Sequence, residues 1–139
     1  MTVMSPAMLQ EFMGQQFPEI EHMGFEVVSI DASSIVMQMQ TKPKDLRPGG
    51  TVSGPTLMSL TDVTMYLLLL AQIGPVALAV TTNLNINFLR KPKSGKLRAE
   101  GRLLKLGKLL ATGDVSIYSD GDEKPVAHAT LTYAIPPQK

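Results

Sequence analysis

The 139-residue chain has no cysteine and no tryptophan. Without cysteine there is no disulfide, no thiolate metal site and no cysteine nucleophile. Histidine is nearly as scarce. His22 and His128 lie far apart and lack ligand spacing, so no zinc site is expected. Aromatic residues make up 5% of the chain, which leaves few platforms on which nucleic-acid bases could stack. An excess of one charge is missing too. The formal net charge of +1 implies no overall pull toward nucleic acid or an anionic membrane. The longest apolar run, residues 63–71, holds nine residues when Thr64 is counted, against the ~20 of a bilayer span. The opening stretch MTVMSPAMLQEF carries no basic segment followed by a long apolar one, so no secretory signal is expected. A soluble, cytoplasmic protein without a membrane partner is the expectation from these absences.

What is present is a globular balance, 44% hydrophobic and 18% charged, over a length that suits one domain spanning 1–139. Residues 5–16 read as an amphipathic helix. Ser5 can cap it, Pro6 suits its first position, and Met8, Leu9, Phe12 and Met13 share a face. Gly14 and Pro18 end it or an irregular extension of it. Phe25 to Ile30 and Ser34 to Gln40 alternate as strands around a DASS turn. A Pro- and Gly-rich loop follows. Gly54-Pro55 then opens a long helix to Ile73, stopped by Gly74-Pro75 and apolar on nearly every side, which predicts burial all round. Strands are expected near 79–90, 96–106, 109–119 and 124–135, with Asp120-Gly121 as a hairpin turn. Connections this short require antiparallel neighbours. The fold class is therefore α+β, with about six antiparallel strands wrapped around one long helix. Such a sheet has edges to protect, and pairing them between subunits makes a homo-oligomer the expectation.

Two features of the central helix can carry chemistry. Ser53-Gly54-Pro55 sets a residue without a side chain among N–H groups that lack an intrahelical acceptor, at the positive end of the helix dipole. Such a point can polarise a carbonyl oxygen, or simply cap the helix. The second feature is Asp62, the sole charge between Arg47 and Arg90. Set among apolar neighbours, it is expected to be a buried acid, and a buried carboxylate is costly unless paired. It reads as a general base or nucleophile, with Ser59 and Tyr66 on its helical face able to orient it, or as a carboxylate hydrogen-bonded to them or to backbone for structural reasons. Eight residues of helix put Gly54 and Asp62 about 12 Å apart, too far to act on one carbonyl. They can meet only if two such helices lie antiparallel across a two-fold axis.

The third feature is a basic belt. Residues 90–108 hold eight Lys and Arg against Glu100 alone, while residues 1–31 hold five acids and no base. A solvated strand face accounts for such a run, as does a phosphate-bearing ligand. Nucleic acid fits poorly, because no aromatic residue lies between Phe88 and Tyr118.

The stretch RPGGTVSGPTLMSLTDVTMYLLL, followed by TTNLNINFLRKPKSGKLRAEGRLLKLGK, resembles the hot-dog-fold acyl-CoA thioesterases, in particular their phenylacetate-type (PaaI-like) branch. The likeness runs from about Met23 to Pro136. That family places His-Gly-Gly at the start of its central helix, and an acid eight residues past the first paired glycine. Gly54 and Asp62 fall on this glycine and this acid. Ser53 stands where the family has His, Pro55 at its second Gly and Arg47 at an upstream Asn. The resemblance implies a dimer or dimer of dimers that hydrolyses a CoA thioester at the dimer interface. The Gly54 N–H would polarise the carbonyl. Asp62 of the partner subunit would act as base or nucleophile, Thr81 or Thr82 would hold water, and Ser59 would support Asp62. Ser53 and Arg47 would lie at the substrate. For Arg47 the roles are an oxyanion contact, a CoA phosphate contact or a plug. Arg90, Lys91, Arg98 and Arg102 would meet CoA phosphates, and Met58, Met65 and Leu67 to Leu70 would form an apolar acyl pocket. No metal or other cofactor is implied, since coenzyme A is part of the substrate. An acyl-CoA binding module without turnover is the alternative, motivated by Ser53, Pro55 and Arg47.

Overall fold

The computed structural model describes residues 2–21 and 23–137, so His22 lies outside the described residues. Helix α1 (Pro6–Gln16) starts where the sequence places it: the Ser5 hydroxyl oxygen accepts the Met8 N–H at 3.2 Å. Leu9, Phe12 and Met13 are buried beneath it, but Met8, expected on the same face, is exposed. The extension after Gln16 is a single helical turn, α2 (Pro18–Glu21). Strands β1 (Phe25–Ile30) and β2 (Ser34–Gln40) form the expected hairpin. A short 3-10 turn, Pro43–Asp45, precedes the central helix α3 (Gly54–Ile73). Strands β3 (Val80–Phe88), β4 (Lys96–Leu106), β5 (Leu110–Ser119) and β6 (Ala127–Ala134) complete the chain.

All six strands join one antiparallel sheet in the order β1-β2-β4-β5-β6-β3. The helix α3 touches every one of them, so the sheet curls around it as expected. Alternation sets which side chains face the helix. In β4, Leu97, Ala99 and Gly101 are buried, while Arg98, Glu100 and Arg102 point outward. Two glycines let the helix approach closely. A Cβ at Gly101 would lie 2.9 Å from Ile35 Cγ2 and 3.1 Å from Thr64 Cγ2, and one at Gly113 would lie 2.7 Å from the Arg102 carbonyl oxygen and 2.8 Å from Met65 Sδ. Backbone cannot yield as a side-chain tip can. Gly113→Ala is therefore expected to cost about 1–3 kcal/mol of stability. Urea unfolding should show a lower midpoint at unchanged slope.

The helix is not buried on every side. Pro55 and Met58 are exposed, and Ser59 and Asp62 are half-buried, which together make one uncovered stripe along α3. The sheet encloses the other faces, where Met65 and Leu67 to Leu70 are sealed. By length and composition α3 could span a bilayer, but here its apolar positions form the core.

The two sheet edges differ. At β1, the Gln10 side chain of α1 acts as a substitute strand. Its Nε2 donates to the Phe25 carbonyl at 3.0 Å and its Oε1 accepts the Val27 N–H at 3.1 Å. At β3 nothing comparable is found among the described residues, and Val80 and Phe88 are more than half exposed.

Candidate active site

The start of α3 is held by a hydrogen-bonded chain. The Ser53 hydroxyl accepts the Thr56 N–H at 3.3 Å and donates to Thr56 Oγ1 at 3.0 Å, and Thr56 Oγ1 donates to Asp45 Oδ1 at 3.4 Å. Asp45 also accepts the Lys42 N–H at 2.8 Å and is only 3% exposed. Among the described residues the buried acid is thus Asp45, whereas Asp62 is half-buried. A carboxylate beside a helix N-terminus is favoured by the dipole and by the N–H groups it accepts. Ser53 acts as a cap. Gly54, as the first helical residue, keeps an N–H without an intrahelical acceptor.

Gly54 opens onto a groove of about 650 Å³ whose lining includes Arg47, Leu57, Phe88, Arg90 and Lys91. A Cβ built on Gly54 would meet Phe88 Cζ at 3.4 Å, so the ring at the end of β3 borders this point closely. Arg90 donates from Nη1 to the Pro125 carbonyl at 2.7 Å, which fixes it at the rim.

Asp62 lies two helical turns further on and faces a different opening. Its Oδ1 accepts two hydrogen bonds, from Thr81 Oγ1 at 2.6 Å and from the Tyr133 hydroxyl at 2.7 Å. The Tyr133 hydroxyl also lies 3.1 Å from the Asp62 carbonyl oxygen. Among the described residues none donates to Oδ2. The carboxylate is therefore held by one oxygen, and the other accepts no hydrogen bond among the described residues.

Strand irregularity puts Thr81 there. A bulge between Thr81 and Asn83 leaves Thr82 as the extra residue, so both Thr81 and Leu84 face inward although they are three apart. Thr82 turns away and donates to the Thr132 carbonyl at 3.2 Å. Tyr66, expected to orient Asp62, instead donates to the Ala77 carbonyl at 3.1 Å, and Ser59 makes no hydrogen bond with Asp62. Tyr133 was not legible as a site residue in the sequence. It lies 71 residues from Asp62, and only its inward position on β6 could be read.

Burial raises the Tyr133 phenol far above its ordinary value, and the Asp62 charge beside it adds to the rise. Burial likewise pushes Tyr66 up to about 12. Both are neutral donors at any working pH. Because the folded state holds these protons more tightly, the stability they contribute is fully present below pH ~10 and is lost as pH rises beyond it. Unfolding measured between pH 9 and 12, values of about the phenol range, should show this decline, and Tyr66→Phe should lessen it.

The remaining predicted residues lie elsewhere. Arg98 pairs with Glu100 at 2.7 Å and sits over the Tyr118 ring at 4.4 Å. Arg102 donates to both Asp114 oxygens, at 3.3 and 3.0 Å, and His128 Nε2 lies 3.1 Å from the same carboxylate. Burial alone would raise Asp114, but Arg102 and His128 override it and hold the carboxyl below its usual range. This network occupies the outer sheet face, so the structure does not bring Arg98 and Arg102 to Gly54 or Asp62. Of the belt, Arg90 and Lys91 reach the groove, together with Arg47. Met58 and Ser59 share the open stripe with Asp62. Met65 and Leu67 to Leu70, expected around an acyl pocket, are core residues because that face of α3 meets the sheet. Among the described residues no cluster of three or more His, Asp or Glu is placed to hold a metal.

A family model described as the thioesterase superfamily matches residues 49–126. A crystal structure of a provisionally assigned thioesterase from Silicibacter sp. TM1040 is 44% identical, with coverage of 99% of this chain and 95% of that one and a TM-score of 0.90. A phenylacetic acid degradation-related protein from Ralstonia eutropha JMP134, also a provisional thioesterase, is 27% identical over 89% of this chain and 98% of its own, with a TM-score of 0.79. A Streptococcus mutans UA159 protein solved with acetyl-CoA is 26% identical, covering 84% and 91%, at a TM-score of 0.72. The matched segment begins in the loop before α3 and ends just before β6, so it contains both Gly54 and Asp62. The chain belongs to the thioesterase superfamily: it is a hot-dog-fold thioester hydrolase.

Proposed function

We propose that the protein hydrolyses an acyl-CoA at a site shared by two subunits, in the manner of the phenylacetate-type branch. The observation that carries this reading is the one-sided hold on Asp62, which leaves Oδ2 as an acceptor beside an apolar cavity. In the reaction, Oδ2 takes a proton from water, and the water oxygen attacks the thioester carbonyl carbon. The Gly54 N–H of the partner subunit donates to the carbonyl oxygen as negative charge develops on it. The C–S bond then breaks, and the proton returns from Asp62 to the CoA sulfur. The same oxygen serves the nucleophilic route, in which it attacks the carbonyl carbon, the C–S bond breaks to release CoA thiolate, and water then opens the resulting anhydride and supplies the proton for the thiolate. Thr81 and Tyr133 keep Oδ1 occupied in either route.

What one subunit leaves uncovered supports the dimer of this proposal. The α3 stripe of Pro55, Met58, Ser59 and Asp62 and the exposed β3 edge suit antiparallel pairing with a second copy. Arg47, Arg90 and Lys91 give the Gly54 groove the charge for CoA phosphates. The Streptococcus mutans protein bound to acetyl-CoA supports that ligand chemistry.

The test is release of CoA thiol from a panel of acyl-CoA esters, alongside binding of the same esters. Saturable hydrolysis is expected. Binding without thiol release would make the protein a sensing module instead. Tyr133→Phe is expected to lower kcat about tenfold, the scale of one hydrogen bond to a charged group, with KM little changed.

A further inference from the structure

Beside Asp62 lies a cavity of about 260 Å³, lined by Met13, Phe17, Val63, Tyr66, Ala77, Ala79, Val80, Thr81 and Tyr133. Its polar atoms are not scattered. The Thr81 and Tyr133 hydroxyls both end on the Asp62 carboxylate, and the Tyr66 hydroxyl is spent on the Ala77 carbonyl. The rest of the wall is hydrocarbon and aromatic ring. A cavity with one reactive polar end and an apolar remainder suits a molecule whose reacting carbonyl carries an apolar tail.

One wall of the cavity comes from α1 and the residue after it. Phe17 is fixed there by its N–H, which donates to the Met13 carbonyl at 2.8 Å, and by its ring, edge-on to Tyr66 with centroids 5.6 Å apart. Met13 is buried beside it. On another side the lining is small, Ala77 and Ala79, and that smallness leaves the space open. Met13 and Phe17 lie outside residues 49–126, so this boundary is supplied by a segment that the family match does not include.

We propose that this cavity receives the acyl group of the thioester, and that Phe17 and Ala79 set its size limit. The inference rests on the acyl-CoA reading above. An apolar cavity of about 150 Å³ holds a benzene molecule. The present one therefore takes a single six-membered ring with one or two further carbons, or a straight chain of about six to eight carbons. A much longer chain meets Phe17.

The experiment measures kcat/KM for acetyl-, hexanoyl-, phenylacetyl- and dodecanoyl-CoA with the wild-type protein, Ala79→Leu and Phe17→Ala. The wild-type protein is expected to prefer hexanoyl- or phenylacetyl-CoA. Ala79→Leu fills the cavity, so the ratio of phenylacetyl to acetyl activity should fall about 10- to 200-fold, the range for a filled or missing methylene-sized contact. Phe17→Ala removes the end wall and should raise the ratio of dodecanoyl to hexanoyl activity about tenfold or more. These ratios are internal to each variant, so a general loss of folded protein does not move them. Unchanged ratios in both variants, with hydrolysis intact, would overturn the acyl assignment alone. No hydrolysis of any ester by the wild-type protein would overturn the acyl-CoA reading and this inference with it.

Discussion

Asp62→Asn is expected to lower kcat about 100-fold or more, the scale of a lost general base. The structure makes this substitution unusually clean. Thr81 and Tyr133 both donate to Oδ1, and an asparagine carbonyl oxygen can accept the same two hydrogen bonds. The amide nitrogen then replaces Oδ2, the oxygen that accepts no hydrogen bond among the described residues. It has no lone pair to take a proton from water, so the change reaches the chemistry and little else. Because an amide costs less to bury than a carboxylate, the urea midpoint should hold or rise. Loss of turnover at wild-type stability is the expected pair of results. Turnover at the wild-type rate would remove Asp62 from the chemistry. Unfolding would make it a structural anion.

Gly54→Leu is expected to be nearly as severe. Removing one donor from an oxyanion site costs about 10²–10³ in kcat. A leucine does so by obstruction, because its Cβ already lies 3.4 Å from Phe88 Cζ and the rest of the side chain must enter the groove before the N–H or displace the ring. Gly54→Ala is the control. Its one added carbon fits at ordinary contact distance, so most of the turnover should survive. Equal losses in the two variants would mean that Gly54 matters for the helix start and not for space in front of its N–H.

The extent to which this site could be read from the sequence follows from which interactions are local. The ends of β1 and β2, the Ser5 cap and the Gly54–Ile73 helix depend on periodicity and on residues within a turn of each other, and these are visible in the sequence. The position of Asp62 on that helix was equally visible. Its partners were not. Thr81 and Thr82 are both polar in an alternating TTNLNINF strand, and a single bulge decides which of them faces inward. Tyr133 meets Asp62 only because β6 lies beside β3 in the sheet, a fact about strand order that no local pattern carries. Asp45 sits in a loop of Lys, Pro and Gly that reads as solvated. It is buried because the loop folds back onto the start of α3 and the acid meets Thr56 there. The basic belt divides for a related reason. Strand alternation turns Arg98 and Arg102 outward, where Glu100 and Asp114 already pair with them.

The separation of Gly54 and Asp62 into two openings of one chain puts the weight of the proposal on the second subunit. Mixing Gly54→Leu subunits with Asp62→Asn subunits tests this directly. Each homodimer alone should be nearly inactive. In a heterodimer, one of the two sites combines the intact Gly54 of one subunit with the intact Asp62 of the other, so activity should return to about half the wild-type rate per heterodimer, as two-fold symmetry requires. Absence of recovery, with heterodimers shown to form, would contradict a site built across the subunits.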